Sequence, residues 1–449
     1  MARFEPPRRL TRRSFLAVAA IGVSAGAPSQ IDDILARIKA PVFPSRDFEI
    51  TKFGAVADGE KPCTEAIRKA IAACTQAGGG RVVVPRGTFL TGAIHLTSNV
   101  NLHLADGARL AFSRDPKDYL PLVFTRFEGT ECMNYSPFLY AFEQTNVAIT
   151  GPGTLDGQAD DEHWWSWKKR AERKQLVAMG DKNAPVSERV FGEGRYLRPN
   201  FIQPYRSKNI LIEGITIVNS PMWEINPVLC RNVTVRGVNI SSHGPNNDGC
   251  DPECCTDTLV EDCVFDTGDD CIAIKSGRNQ DGRRVNAPCE NLVIRGCTMK
   301  DGHGGVSIGS EVSGNVRNVF IEHCEMSSPH LERALRIKSN SYRGGTVENV
   351  VFRNIKVGQV SDAVVQIDLY YEEGPGGPYN PTVRNVTIED VTCNKSKYGL
   401  HFRGYESAPI RDVRVEHCRF NNVAEPMVIE NVKGLTLEDV SQNGKPLHS

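Results

Sequence analysis

The sequence is poor in aromatic residues, in net charge and in long apolar runs, and each scarcity excludes a class of protein. Aromatic residues make up 7% of the 449 residues, and the formal net charge is −1 at pH 7. A chain with so little net charge lacks the basic surface that a nucleic-acid partner requires. No apolar run is long enough to span a bilayer, so we expect no membrane contact in the mature protein. No stretch resembles a linker, which favours a single large domain.

The N-terminal 27 residues differ from the rest and are predicted to be a targeting signal. They contain five arginines and one acid, so they carry +4 and leave the remainder of the chain at about −5. Thr11-Arg12-Arg13-Ser14-Phe15-Leu16 is a twin-arginine pattern, followed by a short apolar run and the small residues Ala25-Gly26-Ala27. We expect export by the twin-arginine route to the periplasm or beyond. The mature domain would then span 28–449, and its first residues, 28–44, show little pattern.

Glycine and asparagine are plentiful, and a short motif recurs along the chain. Each copy begins with Asn or Asp, alternates aliphatic and polar residues, and in most cases lies 22 to 36 residues from the next copy. This period predicts a parallel β-helix with one coil per repeat and parallel strands about 4.8 Å apart. The fold class is therefore all-β, with an amphipathic helix over residues 63–76 capping the first coil. The copies begin at Asn146, Asn209, Asn232, Asp257, Asn291, Asn318, Asn349, Asn385, Asp412 and, degraded, Gly434.

All fourteen cysteines follow residue 27. An even number in an exported protein suggests disulfides, but the twin-arginine route carries proteins that have already folded in the reducing cytosol. Four cysteines share one inward position of the motif and predict a buried ladder of thiols in poor geometry for bonding. These are Cys263, Cys297, Cys324 and Cys418. We expect mostly free cysteines, and the state of three others stays open: Cys250, Cys254 and Cys255.

Three aspartates and a histidine are predicted to share one outward strip of consecutive coils. Asp269 and His303 each lie twelve residues after their own repeat start, so they occupy the same register in adjacent coils. Asp270 is the next residue, and Asp248 lies in the preceding coil. Acids held this close raise the pKa of at least one of them, which keeps a carboxylic acid protonated for general-acid catalysis. Glycoside hydrolysis needs such an acid and a second carboxylate.

Two cations are predicted on the same strip in the next coil. Arg336 and Lys338 flank the inward Ile337, so the two-residue period of a strand places both on the outer face. Lys275 is an outward neighbour in the same ladder and is a further candidate for substrate binding. Fixed cations beside acids would neutralise a negatively charged sugar and point to a uronic-acid polymer. No metal or cofactor is expected, because the cysteines fit an inward ladder and form no spaced Cys/His clusters.

A polar insertion over residues 158–198, called the insert below, breaks the repeat. It contains Trp164, Trp165 and Trp167, which rarely stay in water. We predict a loop or short helices folded over one face of the solenoid, near the cleft.

Four motifs in order carry a resemblance: Asn246-Asn247-Asp248, Gly268-Asp269-Asp270, Gly302-His303-Gly304 and Arg336-Ile337-Lys338. The series resembles the family 28 glycoside hydrolases, the polygalacturonases, and the overall pattern is most similar to bacterial exo-acting members. The resemblance implies a right-handed parallel β-helix and inverting hydrolysis of α-1,4-galacturonosyl bonds of polygalacturonate or pectin. Exo action would fit a cleft closed by the insert and residues 128–131.

The resemblance also implies a role for each residue. Asp269 matches the general acid, and Asp248 and Asp270 match the pair that activates water. His303 matches the histidine that supports the acid. The implied substrate binders are Arg336, Lys338 and, near the cleaved bond, Asn246.

Three alternatives remain at this point. One is hydrolysis of rhamnogalacturonan or another branched pectin. A second is a lyase of the pectate type, which would need a calcium site and an arginine base. A third is a catalytically silent β-helix that binds polysaccharide.

Overall fold

The computed structural model describes residues 27–448. The predicted twin-arginine signal therefore lies outside the described residues, except for Ala27, where the first helix begins. The α helices are α1 (Ala27–Arg37), α2 (Thr64–Gln76), α3 (Glu172–Asp181) and α4 (Asn279–Val285). Short 3-10 helices occupy Ile50–Phe53, Pro116–Tyr119, Trp165–Lys169, Val186–Glu188 and Gly374–Gly376. Within the described residues, no helix has the length and apolar character needed to cross a membrane.

Strands make up most of the regular structure. The first eighteen are β1 (Asp47–Glu49), β2 (Asp58–Pro62), β3 (Gly80–Val84), β4 (Gly87–Thr91), β5 (Ile94–His95), β6 (Val100–Leu104), β7 (Ala108–Phe112), β8 (Val123–Phe127), β9 (Thr130–Asn134), β10 (Leu139–Phe142), β11 (Thr145–Thr150), β12 (Thr154–Asp156), β13 (Val190–Phe191), β14 (Ile202–Tyr205), β15 (Lys208–Glu213), β16 (Thr216–Val218), β17 (Arg231–Arg236) and β18 (Asn239–Ser242). The others are β19 (Thr256–Glu261), β20 (Val264–Thr267), β21 (Ile272–Ile274), β22 (Cys289–Arg295), β23 (Thr298–Met299), β24 (Val306–Ile308), β25 (Val316–Glu322), β26 (Glu325–Met326), β27 (Arg333–Lys338), β28 (Thr346–Val357), β29 (Ala363–Asp368), β30 (Thr382–Cys393), β31 (Tyr398–Arg403), β32 (Ile410–Glu416), β33 (Arg419–Phe420), β34 (Val428–Glu430), β35 (Val432–Glu438), β36 (Ser441–Gln442) and β37 (Lys445–Pro446).

These strands form the right-handed parallel β-helix that the sequence predicts. A 25-stranded sheet makes up two of the faces, and a six-stranded sheet of β21, β24, β27, β29, β31 and β34 makes up another. Single bridges from β14 through Ile225 and Cys250 to β21 join a three-stranded sheet of β5, β10 and β14 to this six-stranded sheet. Among the described strands the pairings are parallel except β8 with β9 and β36 with β37. The strip of predicted site residues lies on the face that carries β21, β24 and β27.

The Asn or Asp that begins each repeat has a structural reason. From Asn146 to Asp412 these residues adopt left-handed φ values between 54 and 60°, a region that Asn and Asp tolerate better than most residues. Their side chains also stack: Asn318 donates to Asn291 at 2.9 Å, and Asn209 donates to Asn146 at 2.9 Å. Each coil is therefore tied to its neighbour at the same turn.

The predicted thiol ladder is confirmed, and the structure contains a second one. The stacked Cys263, Cys297 and Cys324 are buried, and Cys418 is buried further along the solenoid. All fourteen cysteines are free and buried, including the three whose state the sequence left open. The second ladder, which sequence reasoning missed, consists of Cys230, Cys255 and Cys289.

Helix α2 caps the first coil, as predicted. Its buried face consists of Ala66, Ile67, Ala70, Ile71 and Cys74, all within the main core. A cap of this kind covers the apolar interior that an open end of a solenoid would expose.

The prediction of little regular structure in residues 28–44 was wrong for its first part, which forms α1. Ile31 and Ile34 are buried against Leu259, Val293 and Phe320 on the outer face of the large sheet. Arg37 donates to Asp257 at 2.7 Å. Apolar residues at positions 31, 34, 35 and 38 follow helical spacing, a signal that the sequence contained but that a segment beside a signal peptide obscured.

The insert is folded, as predicted. It contains a 3-10 helix, α3, a second 3-10 helix and β13, and Trp164 is almost fully buried beside Tyr119 and Phe138. The Trp165 indole nitrogen donates to the Ser220 carbonyl at 2.8 Å, which fastens the start of the insert to the solenoid.

Candidate active site

A cleft of about 720 Å³ lies over β21, β24 and β27. The predicted site residues other than Asp270 line it, together with residues 168–171, 173 and 174 of the insert. Six residues form what we call the charged strip, which the structure brings together as predicted: Asp248, Asp269, Asp270, His303, Arg336 and Lys338. None of the three aspartates faces the interior of the solenoid.

Strand register positions the first pair. Ile272 pairs with Val306 in adjacent coils, and the same offset places Asp269 beside His303. The His303 Nδ1 and Asp269 Oδ1 atoms lie 2.9 Å apart. This hydrogen bond raises the pKa of His303 above its ordinary value. Burial is the largest effect on Asp269 and opposes its ionisation, but this hydrogen bond and the charges of His303 and Lys338 together outweigh it, so the pKa of Asp269 is lowered.

Asp270 is fixed as an ionised carboxylate. It accepts hydrogen bonds from the Ser307 hydroxyl and the Lys338 ammonium, each at 2.7 Å, and Arg336 stands 3.6 Å away. Burial alone would raise its pKa, but the charges of Lys338 and Arg336 hold the pKa well below the ordinary value. Gly304 leaves room for this carboxylate, because a Cβ there would lie 3.0 Å from Asp270 Oδ1 and 2.4 Å from the Ser307 hydroxyl.

Asp248, unlike Asp270, lies in surroundings that disfavour its ionised form. It is 2% exposed, and its Oδ1 atom has no hydrogen-bond partner among the described residues. Burial raises its pKa, and the negative charges of Asp251 and Asp269 raise it further. An unpartnered buried oxygen at the edge of a cleft is unfavourable unless a ligand or water completes its hydrogen bonds.

The three aspartates lie closer together than the two catalytic carboxyl groups of most glycosidases. One oxygen of each lies within 4.8 Å of one oxygen of the others. Two oxygens at such a distance can both accept from a single water, since each hydrogen bond spans about 2.8 Å. A water between Asp248 and Asp270 is compatible with this upper limit.

The aspartate with a raised pKa is not the residue that the resemblance identifies as the acid. Of the three aspartates, Asp248 has the raised pKa, whereas the pKa of Asp269 is lowered and that of its neighbour His303 is raised. Asp269 is nevertheless the most accessible of the three, with 14% of its side chain exposed against 3% for Asp248 and 0% for Asp270. Geometry thus favours Asp269, and not Asp248, as the group that reaches a bound sugar.

The cations differ in how freely they face the cleft. Arg336 and Lys338 line it and lie 5.3 and 5.2 Å from the centre of the Tyr371 ring. Lys275 also lines the cleft, but carboxylates surround its ammonium, Glu311 at 3.4 Å and Asp248 and Asp251 at 3.6 Å each.

The two asparagines before Asp248 have different tasks. Asn246 lines the cleft, and its amide nitrogen lies 3.4 Å from Asp269 Oδ2. Its side-chain oxygen accepts from Arg198 at 2.8 Å, and burial lowers the pKa of this arginine to about 10. Asn247 is fully buried and bonds Ser242 and the backbone at 2.7 to 3.2 Å, so it braces the loop that presents Asp248.

Sequence reasoning missed Tyr371, which lines the cleft, and two buried acids beside the site. Glu224 and Asp251 are fully buried, and all four of their carboxylate oxygens lack hydrogen-bond partners among the described residues. Burial raises the pKa of both. Asp251 stands three residues after Asp248 in the same motif, which was a usable signal, whereas Glu224 and Tyr371 carried none.

Two clusters within residues 27–448 bring three possible metal ligands within 4.8 Å of one another. One is the three aspartates, and the other is His243 with Asp266 and Asp301. The first cluster already has Arg336 and Lys338 beside it, so its negative charge is largely offset without a metal.

Comparisons with known proteins show the family of this chain. The model of glycosyl hydrolases family 28 matches residues 74–379. The crystal structure of a hyperthermoactive exopolygalacturonase from Thermotoga maritima is 44% identical, covers 94% of this chain and 97% of its own, and superimposes with a TM-score of 0.91. A probable polygalacturonase of Vitis vinifera is 28% identical over 86% of this chain and 77% of its own length. An exo-poly-alpha-D-galacturonosidase of Dickeya chrysanthemi is 28% identical over 88% of this chain and 69% of its own.

A family model that spans two thirds of the chain, a shared fold and a cleft of acids and cations lead to one conclusion. The chain is an enzyme of glycosyl hydrolases family 28.

Proposed function

We propose that the protein is an exo-acting polygalacturonase that hydrolyses α-1,4-galacturonosyl bonds of polygalacturonate. The observation that carries this proposal is the 44% identity to an exopolygalacturonase over 94% of the chain. The charged strip supports it, because Arg336 and Lys338 place two cations where a uronic acid would bring its carboxylate.

The proposed reaction is a single displacement. A water held between Asp248 and Asp270 attacks the anomeric carbon as the glycosidic C–O bond breaks. The ionised Asp270 accepts the proton of the water, and Asp269 gives a proton to the leaving oxygen. Binding of substrate covers the exposed part of Asp269 and brings a further negative charge near it. Both effects raise the pKa of Asp269 and draw the proton from His303.

Exo action is supported by the insert. Residues 168–171, 173 and 174 line the cleft, and Glu128 in the β8–β9 turn lines it as well. These segments narrow a groove that an internal stretch of polymer would otherwise cross.

The test is the product profile on polygalacturonate from the first minute. We expect monomer or dimer alone, and the β-anomer first in a proton NMR time course because inversion of an α-bond gives β. A ladder of oligomers from the start would reject exo action, and an α-anomer would reject inversion. Asp269→Asn serves as the inactive control, with turnover lowered by orders of magnitude and the fold retained.

The same assay separates the alternatives. Faster release of products from rhamnogalacturonan than from polygalacturonate would identify a branched pectin as the substrate. Loss of activity with a chelator together with an unsaturated product would indicate a lyase, and absence of any reducing sugar would indicate a binding protein.

We also propose export by the twin-arginine route. The support is the pattern around Arg12 and Arg13 with its apolar run and small residues. In a bacterial host with this route, changing Arg12 and Arg13 to lysine should leave the enzyme in the cytosol. Undiminished periplasmic activity would contradict the proposal.

A further inference from the structure

Arg173, in α3 of the insert, stands where three distant segments of the chain meet beside the cleft. Its Nε atom lies 2.5 Å from Glu128 Oε2, and an Nη atom lies 3.6 Å from Glu372 Oε1. Glu128 occupies the β8–β9 turn, and Glu372 lies in the loop after β29. All three residues line the cleft.

These contacts join the insert to segments that precede and follow the catalytic coils in the chain. The β8–β9 hairpin precedes Asp248 in the chain, and the loop after β29 follows Lys338. The insert therefore bonds to one segment that precedes the charged strip in the chain and to one that follows it, at the place where both segments meet Arg278.

The two glutamates are fixed independently of the insert. Arg278, which is 4% exposed, lies 3.6 Å from Glu128 and 3.3 Å from Glu372. Arg343 lies 2.5 Å from Glu372. Arginines outside the insert therefore hold Glu128 and Glu372 in place, and Arg173 bonds the insert to both of them.

The rest of the insert is anchored elsewhere. Trp165 bonds the Ser220 carbonyl at 2.8 Å, and the buried Arg189 lies 2.6 Å from Asp281. Loss of Arg173 would therefore release only the edge of the insert that faces the cleft, and the insert would stay folded.

We propose that Arg173 determines specificity: by closing the insert against Glu128 and Glu372, it makes the cleft accept a chain end and refuse the middle of a chain. This inference rests on the proposed exo-polygalacturonase function. The two glutamates suit such an end, because carboxylate oxygens accept hydrogen bonds from terminal sugar hydroxyls.

The experiment compares Arg173→Met with the wild type and with Arg195→Met. Arg195 is a matched control, because its ion pair to Glu172, at 3.8 Å, lies within the insert itself. For each protein we would measure product sizes and the loss of viscosity of polygalacturonate at equal numbers of bonds cleaved. We would also measure KM for trigalacturonate.

We expect the wild type and Arg195→Met to release only monomer or dimer. Arg173→Met should release longer oligomers and lower the viscosity several-fold faster per bond cleaved, with KM for trigalacturonate raised several-fold. Arg173→Lys, which keeps the charge, should restore most of the wild-type profile.

Two outcomes would overturn the inference, and they are distinguishable. An exo profile in both the wild type and Arg173→Met would reject the role of Arg173 and leave the proposed function intact. Oligomers from the wild type would reject exo action and the inference with it. Glu128→Gln weakens the same ion pair from the other side, so it decides the question if Arg173→Met does not fold.

Discussion

A 2.9 Å hydrogen bond joins Asp269 and His303, and we expect the titration of this pair to shape the pH range of the enzyme. The pKa of His303 is raised and that of Asp269 is lowered, so a proton shared by the pair favours the imidazole. As the pH rises through the raised pKa of His303, the pair loses its proton. The stabilisation from this ion pair is complete between the ordinary values of about 3.9 for aspartate and about 6.5 for histidine. It is lost as the pH rises through the raised pKa of His303 and as the pH falls through the lowered pKa of Asp269.

This pair leads to the first prediction. His303→Asn retains a hydrogen-bond donor but cannot hold the proton, so kcat/KM at pH 7 should fall roughly 10²-fold. The alkaline limb of its pH profile should move to lower pH. His417→Asn is the control, because His417 is exposed and lies outside the cleft. An unchanged alkaline limb in His303→Asn would show that another group supplies the proton.

For Lys275, the substrate-binding role predicted from the sequence and the position in the structure lead to different expectations for KM. A direct substrate binder should raise KM when it is lost. The structure instead surrounds its ammonium with Asp248, Asp251 and Glu311, and lays it 4.4 Å from the centre of the Trp223 ring. Its charge therefore offsets the buried acids behind the site.

The second prediction follows from that enclosure. Lys275→Met should lower kcat roughly 10²-fold because the pKa of Asp248 rises further, and KM should change less than it does in Lys338→Met. Removing one partner of a buried ionic network costs about 3–5 kcal/mol, so Lys275→Arg is made in parallel as the charge-preserving variant. A large rise in KM with kcat unchanged would restore Lys275 as a substrate binder.

At the scale of elements, α1 is an addition to the solenoid. The outward positions Leu259, Val293 and Phe320 are apolar where the helix covers them, whereas the equivalent positions in later coils are Thr387, Arg414 and Thr436. The coils beneath α1 are paired on both sides without it. Docking of α1 and folding of the β-helix are therefore separable events.

The third prediction concerns this docking. Burial of one isoleucine side chain contributes about 1.5–3 kcal/mol, so Ile34→Asp should detach α1 without unfolding the coils. Hydrogen exchange should rise in residues 27–38 and on the covered strip, while activity stays within about twofold. Ala36→Asp, on the exposed face of α1, should change neither. Loss of the whole fold in Ile34→Asp would show that α1 is integral to the solenoid.

At the scale of the molecule, the sequence predicted what repeats and failed where the chain departs from the repeat. Strict alternation in each copy determined the coil, and a constant register then placed Asp269 beside His303 and both near Arg336. The contacts of Arg173 with Glu128 and Glu372 join positions 45 and 199 residues apart, and no local pattern encodes them. Which of the three aspartates has the raised pKa also escaped prediction, because the pKa of Asp248 depends first on its burial in the folded chain.

The thiol ladders are a property of the whole solenoid and carry the last prediction. Residues stacked in parallel coils keep their Cβ atoms about as far apart as the strands, roughly 4.8 Å, whereas a disulfide needs about 3.5–4.5 Å. Burial also raises the pKa of Cys74 to about 11 and that of Cys254 to about 12, so few thiolates form at these two positions. The purified enzyme, unfolded without reductant, should therefore titrate 14 thiols, the same number as after full reduction. Its Tm should be identical with and without dithiothreitol. Fewer than 14 free thiols before reduction, with two recovered for each disulfide that is reduced, would show that the exported enzyme acquires disulfides despite the ladder geometry.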